Sequence, residues 1–126
     1  MRLIHALKAA LGPRLAVWPF DHVTMGSPGG LAMVLVEIFP SYYFHAAGMN
    51  PAKNAAADPA FMNAALAAYD CEGVEPDYAP RGADADEADA IISAAALRYF
   101  AGRPGCWHAP REATWEGWIF GVPPVT

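Results

Sequence analysis

The sequence has little positive charge, few cysteines and no long uninterrupted apolar stretch. Eight lysines and arginines stand against thirteen acids, which gives a net charge of −5. This balance excludes the broad basic field that supports tight non-specific binding to nucleic acid. It leaves open a nuclease that holds a phosphodiester through metal ions, because the metals then supply the positive charge.

The two cysteines and four histidines of the chain are scattered along the sequence. Cys71 and Cys106 fit neither a zinc-ligand spacing nor a disulfide framework. Cys106 and His108 stand close together, but the sequence offers no second ligand pair to complete a tetrahedral site. We therefore expect no structural metal bound by cysteine and histidine.

No apolar run approaches the ~20 residues that a membrane-spanning helix needs. The first ten residues are too short, and too interrupted by His5 and Lys8, to form a secretory signal. The absence of any acid before Asp21 is a feature of organellar transit peptides. Three leucines at helical spacing favour the other interpretation, a first helix of the folded domain. We expect a cytoplasmic protein that does not bind membranes.

What the sequence does contain is apolar surface, since 55% of its 126 residues are hydrophobic. A chain of this length can bury one core, so we predict a single domain over residues 1–126. Helices are predicted over Arg2–Leu11, ended by Gly12 and Pro13, and from the Asp58–Pro59 start to Tyr69. A third helix is predicted over Asp84–Ala101.

Two segments have strand character. Leu15–Phe20 predicts a short strand that Pro19 confines to an edge, and a turn follows over Thr24–Gly30. Leu31–Phe39 is an almost continuous apolar run that predicts a strand covered on both faces and paired with the first. Two strands make a marginal sheet. We therefore expect an α/β fold of two or three strands and about three helices, completed by another chain or a swapped segment.

One charge, Glu37, lies inside the second predicted strand. An ionised carboxylate buried without a partner costs several kcal/mol, so this residue needs a cation, a proton or water. It lies near the carboxyl end of the strand, where α/β sheets usually place their ligands. A functional role and a structural one, with Glu37 paired to an arginine or reaching solvent, are equally favoured.

The last predicted helix begins with four acids. Asp84 and Glu87 are explained by the free amide groups and the positive dipole at a helix start. Asp89 falls instead at the margin of the apolar face, and Asp86 lies about 60° around the helix from it. Two carboxylates one turn apart repel each other unless a positive ion lies between them. Mg²⁺ or Mn²⁺, which carboxylate oxygens bind well, would remove that repulsion.

These residues suggest a family. The segment Asp86–Ala95 resembles the D-x-x-D-A signature that opens the last helix of RNase H-like nucleases, especially the RuvC-type Holliday-junction resolvases. Three further segments look like blocks of a bacterial family of predicted RNase H-like nucleases, namely Trp18–Asp21, Val34–Pro40 and Glu116–Gly121. The resemblance implies a metal-dependent phosphodiesterase with a nucleic acid substrate. It places Asp86 and Asp89 at the helix pair that holds divalent ions, and Glu37 at the acid of the family's E-x-[YF]-P strand.

The chain departs from this pattern at its start. RNase H-like domains open with strands, the first of which carries a metal-binding aspartate, and no segment here matches it. The resemblance thus covers a C-terminal portion of such a domain, without the N-terminal strands, and the missing aspartate implies that activity is lost unless another chain supplies it. Asp21 is a weak substitute, for which turn or strand-end chemistry is the favoured role.

The alternative function is a non-catalytic protein that associates through its open sheet edge, and a homodimer follows from either function. Trp107, Trp115 and Trp118 form the interface in that case. The preferred interpretation is that these tryptophans cover the core of their own chain.

Overall fold

The fold is known from a computed structural model, which describes residues 2–23, 33–51, 58–79 and 86–124. In chain order the elements are α1 (Arg2–Leu11), β1 (Leu15–Val17), β2 (Met33–Leu35), α2 (Pro40–Ala46), α3 (Pro59–Ala67), α4 (Asp86–Ala101) and α5 (Ala113–Glu116). Short 3₁₀ turns follow α1 and α4. The mixture of helices with a parallel two-stranded sheet confirms the α/β prediction.

The chain divides into two compact units. The sheet unit consists of Met1–Glu37 and Arg103–Thr126, and the helical unit consists of Ile38–Gly102. The RNase H-like fold and the single domain over residues 1–126 stay predictions.

Helix α1 has the predicted bounds. It ends at Leu11 because Gly12 adopts a positive φ of 54°, a conformation that glycine reaches at low cost, and Pro13 follows. The leucines on the apolar side of α1 are only partly buried, since Leu7 is half-buried and Leu3 is 71% exposed. No helix in the four described ranges is long and apolar enough to cross a membrane.

The two strands pair in parallel, with Leu15 opposite Met33 and Val17 opposite Leu35. The pairing of the two predicted strands is therefore confirmed. The prediction that the second strand is covered on both faces is wrong, because Met33 is 45% exposed and Leu35 is half-buried. A three-residue strand in a two-stranded sheet has too few neighbours to bury both of its faces. The turn predicted over residues 24–30 lies outside the described residues.

The C-terminal segment extends the sheet at one point. Ile119 forms a parallel bridge with Glu37, and the backbone N–H of Phe120 donates to the carbonyl oxygen of Glu37 at 2.9 Å. Of the two or three strands expected from the sequence, the third is thus represented by a single bridge. It pairs the end of the second strand with this chain's own C-terminal segment.

An aromatic cluster fills the interior of the sheet unit. The rings of Trp18 and Phe120 meet edge to face at 5.2 Å, and Trp107 packs on Phe120 at 4.6 Å. The indole N–H of Trp18 donates to the carbonyl oxygen of Trp107. Trp107 and Trp118 are half-buried, as the preferred interpretation expects, but Trp115 is 89% exposed. The expectation that all three tryptophans cover the core is therefore wrong for Trp115.

Helices α2, α3 and α4 form the helical unit. The side chain of Asp58 caps α3 by accepting a hydrogen bond from the N–H of Ala60 at 2.9 Å, as its position before Pro59 predicted. Helix α2 was not predicted, because Pro40, which directly follows the strand predicted over Leu31–Phe39, is compatible with the end of that strand. Pro40 is instead the first residue of α2, a helix position that proline favours.

The core of the helical unit is dense. Tyr43, Met62 and Ile92 have no exposed surface, and α4 packs against α2 and α3. The hydroxyl of Tyr69 donates to the carbonyl oxygen of Tyr43 at 2.6 Å. Burial raises the pKa of each of these tyrosines to about 12, so neither ionises near neutral pH.

Candidate functional site

Asp86 and Asp89 lie in the first turn of α4. Ala88 and Ile92 form the fully buried face of the helix, which fixes its rotation about its axis. With that face inward, Asp86 is exposed and Asp89 is half-buried. The sequence placed Asp89 at the margin of the apolar face, and the structure confirms that position.

The two carboxylates influence each other. Burial raises the pKa of Asp89 above its ordinary value, and the negative charge of Asp86 raises that pKa further. Ionisation of Asp89 therefore costs free energy in the folded protein. A divalent cation bound to the two carboxylates would lower this cost by reversing the sign of the local electrostatic field.

Ser93, one turn along α4 from Asp89, was given no role by the sequence analysis. Its side chain is 4% exposed, and its hydroxyl oxygen has no hydrogen-bond partner among the described residues. An unsatisfied buried hydroxyl costs free energy, roughly 1–3 kcal/mol for a typical polar group. The sequence signal for Ser93 was its position seven residues after Asp86, which puts both on one strip of the helix.

Glu37 is exposed to solvent, not enclosed by the sheet. Of the roles considered for it, the one in which its carboxylate reaches solvent at the strand end agrees with the structure. Its backbone is fixed by the bridge to Ile119. Its carboxylate lies beside Gly117, so that a Cβ atom built there would be 3.6 Å from Oε2 of Glu37.

The three predicted metal ligands do not all belong to one unit of the chain. Glu37 belongs to the sheet unit, whereas Asp86 and Asp89 belong to the helical unit. Within the described ranges, no group of three or more histidine, cysteine, aspartate or glutamate side chains is placed to hold a metal ion. The structure thus brings Asp86 and Asp89 together, and the membership of Glu37 stays a prediction.

Asp21 has a structural role. Its carboxylate accepts hydrogen bonds from the ammonium group of Lys8, at 2.5 Å, and from the backbone N–H of Val17, at 2.8 Å. The hydrogen bond from Lys8, followed by that from Val17, lowers the pKa of Asp21. These contacts tie α1 to the end of β1, which is the strand-end role that the sequence favoured.

Comparison of the chain with protein-family models, with curated proteins and with solved structures finds no match in any of the three. The likeness to RNase H-like nucleases therefore remains a resemblance in sequence motifs.

Proposed function

We propose that this protein is a metal-dependent phosphodiesterase of RNase H-like type, in which Asp86 and Asp89 bind Mg²⁺ or Mn²⁺. The observation that carries the proposal is the state of Asp89, a half-buried carboxylate whose pKa is raised by burial and by its neighbour. Perturbed carboxylates of this kind are more frequent at functional sites than elsewhere.

The residues present fit a divalent ion. Mg²⁺ keeps several water molecules and is commonly bound through one or two carboxylates together with substrate phosphates. Asp86 and Asp89 supply two such carboxylates within one helical turn. When bound, divalent ions of this type activate a water molecule and stabilise the leaving oxygen of a phosphodiester.

The acidic charge of the chain accords with this function. A net charge of −5 gives an overall repulsion between the chain and a polyanionic substrate. Asp86 and Asp89 would attract such a substrate only through a cation that they hold. Binding of nucleic acid is accordingly expected to require the divalent ion.

The simplest competing explanation is that these acids only stabilise the start of a helix. It accounts for Glu87 and for Asp86, which are both exposed in the first turn of α4. It accounts less well for Asp89, since burial opposes the charge that the helix dipole would favour. Asp89 is therefore the residue on which a test should act.

The test is calorimetric titration with Mn²⁺ of the wild type, Asp86→Asn and Asp89→Asn. Glu87→Gln is the matched control, because it removes one charge from the same turn. We expect saturable binding that either aspartate variant weakens at least tenfold, equivalent to about 1.4 kcal/mol, and that the control leaves within twofold. Equal affinities in all four proteins, or no saturable binding by the folded wild type, would refute the site.

Glu37→Gln extends this titration to the third predicted ligand. A loss of affinity equal to that of Asp89→Asn would make Glu37 part of the metal site. If the site is found, cleavage of labelled single-stranded and branched DNA and of RNA with Mn²⁺ tests the activity and identifies the substrate.

Association without catalysis is the second candidate function. It is favoured by the exposure of Met33 on a strand at the edge of a two-stranded sheet, a surface to which another strand can add. Sedimentation equilibrium of Met33→Lys tests it, with Leu3→Lys as a control on α1, where the replaced side chain is 71% exposed. A weaker self-association in Met33→Lys alone supports this function, and a monomeric wild type contradicts it.

A further inference from the structure

Parts of three segments that resemble blocks of the nuclease family line one cavity in the sheet unit. Residues 17–20, residues 35–37 and Gly117 line this cavity, together with Ile4 of α1. Its volume is about 290 Å³. That value is just below the range of roughly 300–1,000 Å³ found for small-molecule sites.

The cavity has apolar walls and one charged group. Val17, Trp18 and Leu35 contribute hydrophobic surface, and Glu37 contributes a carboxylate. No hydrogen bond or ion pair engages that carboxylate within the described part of the chain. The charge therefore faces a recess and is available to a ligand.

A second acid strengthens the negative potential at this place. Glu37 also lines an adjoining depression of about 340 Å³, to which Glu116 contributes. Lys8, a cation of the same unit, is already paired with Asp21. Two carboxylates, those of Glu37 and Glu116, thus border this part of the sheet unit.

An exposed aromatic ring completes the arrangement. Phe20 is 57% exposed, which is unusual for a side chain of its size, and it forms part of the cavity wall. A Cβ atom built on Gly117 would lie 3.8 Å from Cζ of Phe20 and 3.6 Å from Oε2 of Glu37. The ring and the carboxylate therefore flank one point, which the absence of a side chain at Gly117 keeps open.

We propose that this cavity binds a small organic cation of the alkylammonium class. The carboxylate of Glu37 attracts an ammonium group, and the exposed ring of Phe20 attracts it further where the cation lies over the ring face. The apolar walls suit a cation that carries methyl or methylene groups. They do not suit a small inorganic cation, whose hydration shell a single carboxylate cannot replace. This proposal does not involve Asp86 or Asp89, and it shares only Glu37 with the ligands predicted for the metal site.

The test uses choline and its uncharged isostere 3,3-dimethylbutan-1-ol as probes. Both are titrated into ¹⁵N-labelled protein with EDTA present, so that no divalent cation competes, and amide shifts are followed by NMR. We expect saturable shifts at Phe20, Glu37 and Gly117 with choline, and binding of the neutral compound that is at least fivefold weaker. Equal binding of the two compounds, or no shift at these amides, would overturn the proposal.

Variants separate the two recognition elements. Glu37→Gln should weaken choline binding at least fivefold, and Phe20→Leu, which keeps an apolar side chain, should weaken it by a smaller factor. Glu112→Gln is the matched control, since it removes an exposed charge that does not line the cavity. Unchanged affinity in Glu37→Gln, or an equal loss in Glu112→Gln, would refute the assignment. Tighter binding of a trimethyllysine peptide than of choline would overturn the small-molecule assignment.

Because EDTA is present, a failure here leaves the metal proposal untouched. Failure of the Mn²⁺ titration likewise leaves this cavity untouched, because Asp86 and Asp89 do not line it.

Discussion

The two units of the chain protect their interiors to different degrees. In the helical unit, three helices enclose a core in which tyrosine, methionine and isoleucine side chains have no exposed surface. In the sheet unit, two three-residue strands leave Phe20, Met33 and Trp115 substantially exposed. The comparison indicates that dense packing stabilises the helical unit, whose exposed large apolar side chains, Ile38 and Phe39, are its first two residues, and that the sheet unit keeps more apolar surface available for binding.

The largest expected effect is on the core of the helical unit. Ile92→Ala should lower the free energy of unfolding by about 2–5 kcal/mol, because Ile92 is fully buried and the truncation leaves a cavity. Ile91→Ala is the matched control on the same helix, and its loss should be smaller because Ile91 is half-buried. Leu35→Ala in the sheet unit should also lose less than Ile92→Ala. Urea denaturation followed by circular dichroism measures all three, and a larger loss at Leu35 would reverse the comparison.

A smaller effect is expected where the backbone of the sheet unit is constrained. Gly117 has a positive φ of 79°, which residues other than glycine rarely adopt. Gly117→Ala should therefore lower the free energy of unfolding by about 1–3 kcal/mol. Gly105→Ala is the control, since nothing lies within 4 Å of the position its Cβ would occupy and its φ is not positive. Thermal unfolding of the two variants provides the measurement. Equal stabilities would mean that the conformation of Gly117 is not strained by a side chain.

The smallest effects are expected at two aspartates, one from each unit, and they should have opposite signs. At pH 7, Asp21→Asn should destabilise the protein and Asp89→Asn should stabilise it, each by less than ~1 kcal/mol because neither side chain is deeply buried. The reason is that interactions of the folded state favour the charge of Asp21 and oppose that of Asp89.

The pH dependence follows from the same shifts. The folded-state pKa of Asp21 lies below its unfolded value of about 3.9, so its stabilisation is present above that pH and is lost as pH falls through the lowered pKa. The folded-state pKa of Asp89 is raised, so stability is lost as pH rises from about 3.9 through the raised pKa. The midpoints of urea unfolding, measured at pH 7 and pH 3 for the wild type and both variants, show whether each substitution raises or lowers stability. Two effects of the same sign at pH 7 would contradict this assignment of charges.

Local sequence signals predicted the bounds of α1 and the start of α3, whereas α2 and α5 were not predicted and α3 ends at Ala67, before the predicted Tyr69. The glycine and proline after Leu11 fixed the end of α1, and the aspartate and proline at 58–59 fixed the start of α3. Both signals act through the conformation of one or two residues, so they can be interpreted without tertiary contacts. Pro40 was ambiguous because it is compatible with the end of a strand and with the start of a helix.

The sheet was harder to predict because its burial depends on long-range neighbours. The apolar run over residues 31–39 predicted a strand that is buried on both faces. Burial of both faces requires other elements that pack on each side of the sheet, and no local sequence pattern specifies these. The bridge between Glu37 and Ile119 joins residues far apart in the chain, and the expectation of two or three strands did not locate it.

The candidate metal site was predicted in part. The position of Asp89 on the helix followed from the periodicity of α4, because a helix fixes which residues share a face. The unpartnered hydroxyl of Ser93 depends on how α4 packs, so the sequence did not reveal it. The recess around Glu37 depends on the pairing of distant segments, and it was equally hidden.

The most direct test of the central claim is to locate bound Mn²⁺ by its paramagnetic broadening of ¹⁵N–¹H resonances. At substoichiometric Mn²⁺, the amide signals of residues 86–90 should be lost first in the wild type and retained in Asp89→Asn. Signals that persist at the start of α4 while others broaden, or identical broadening in the two proteins, would contradict a metal site at Asp86 and Asp89.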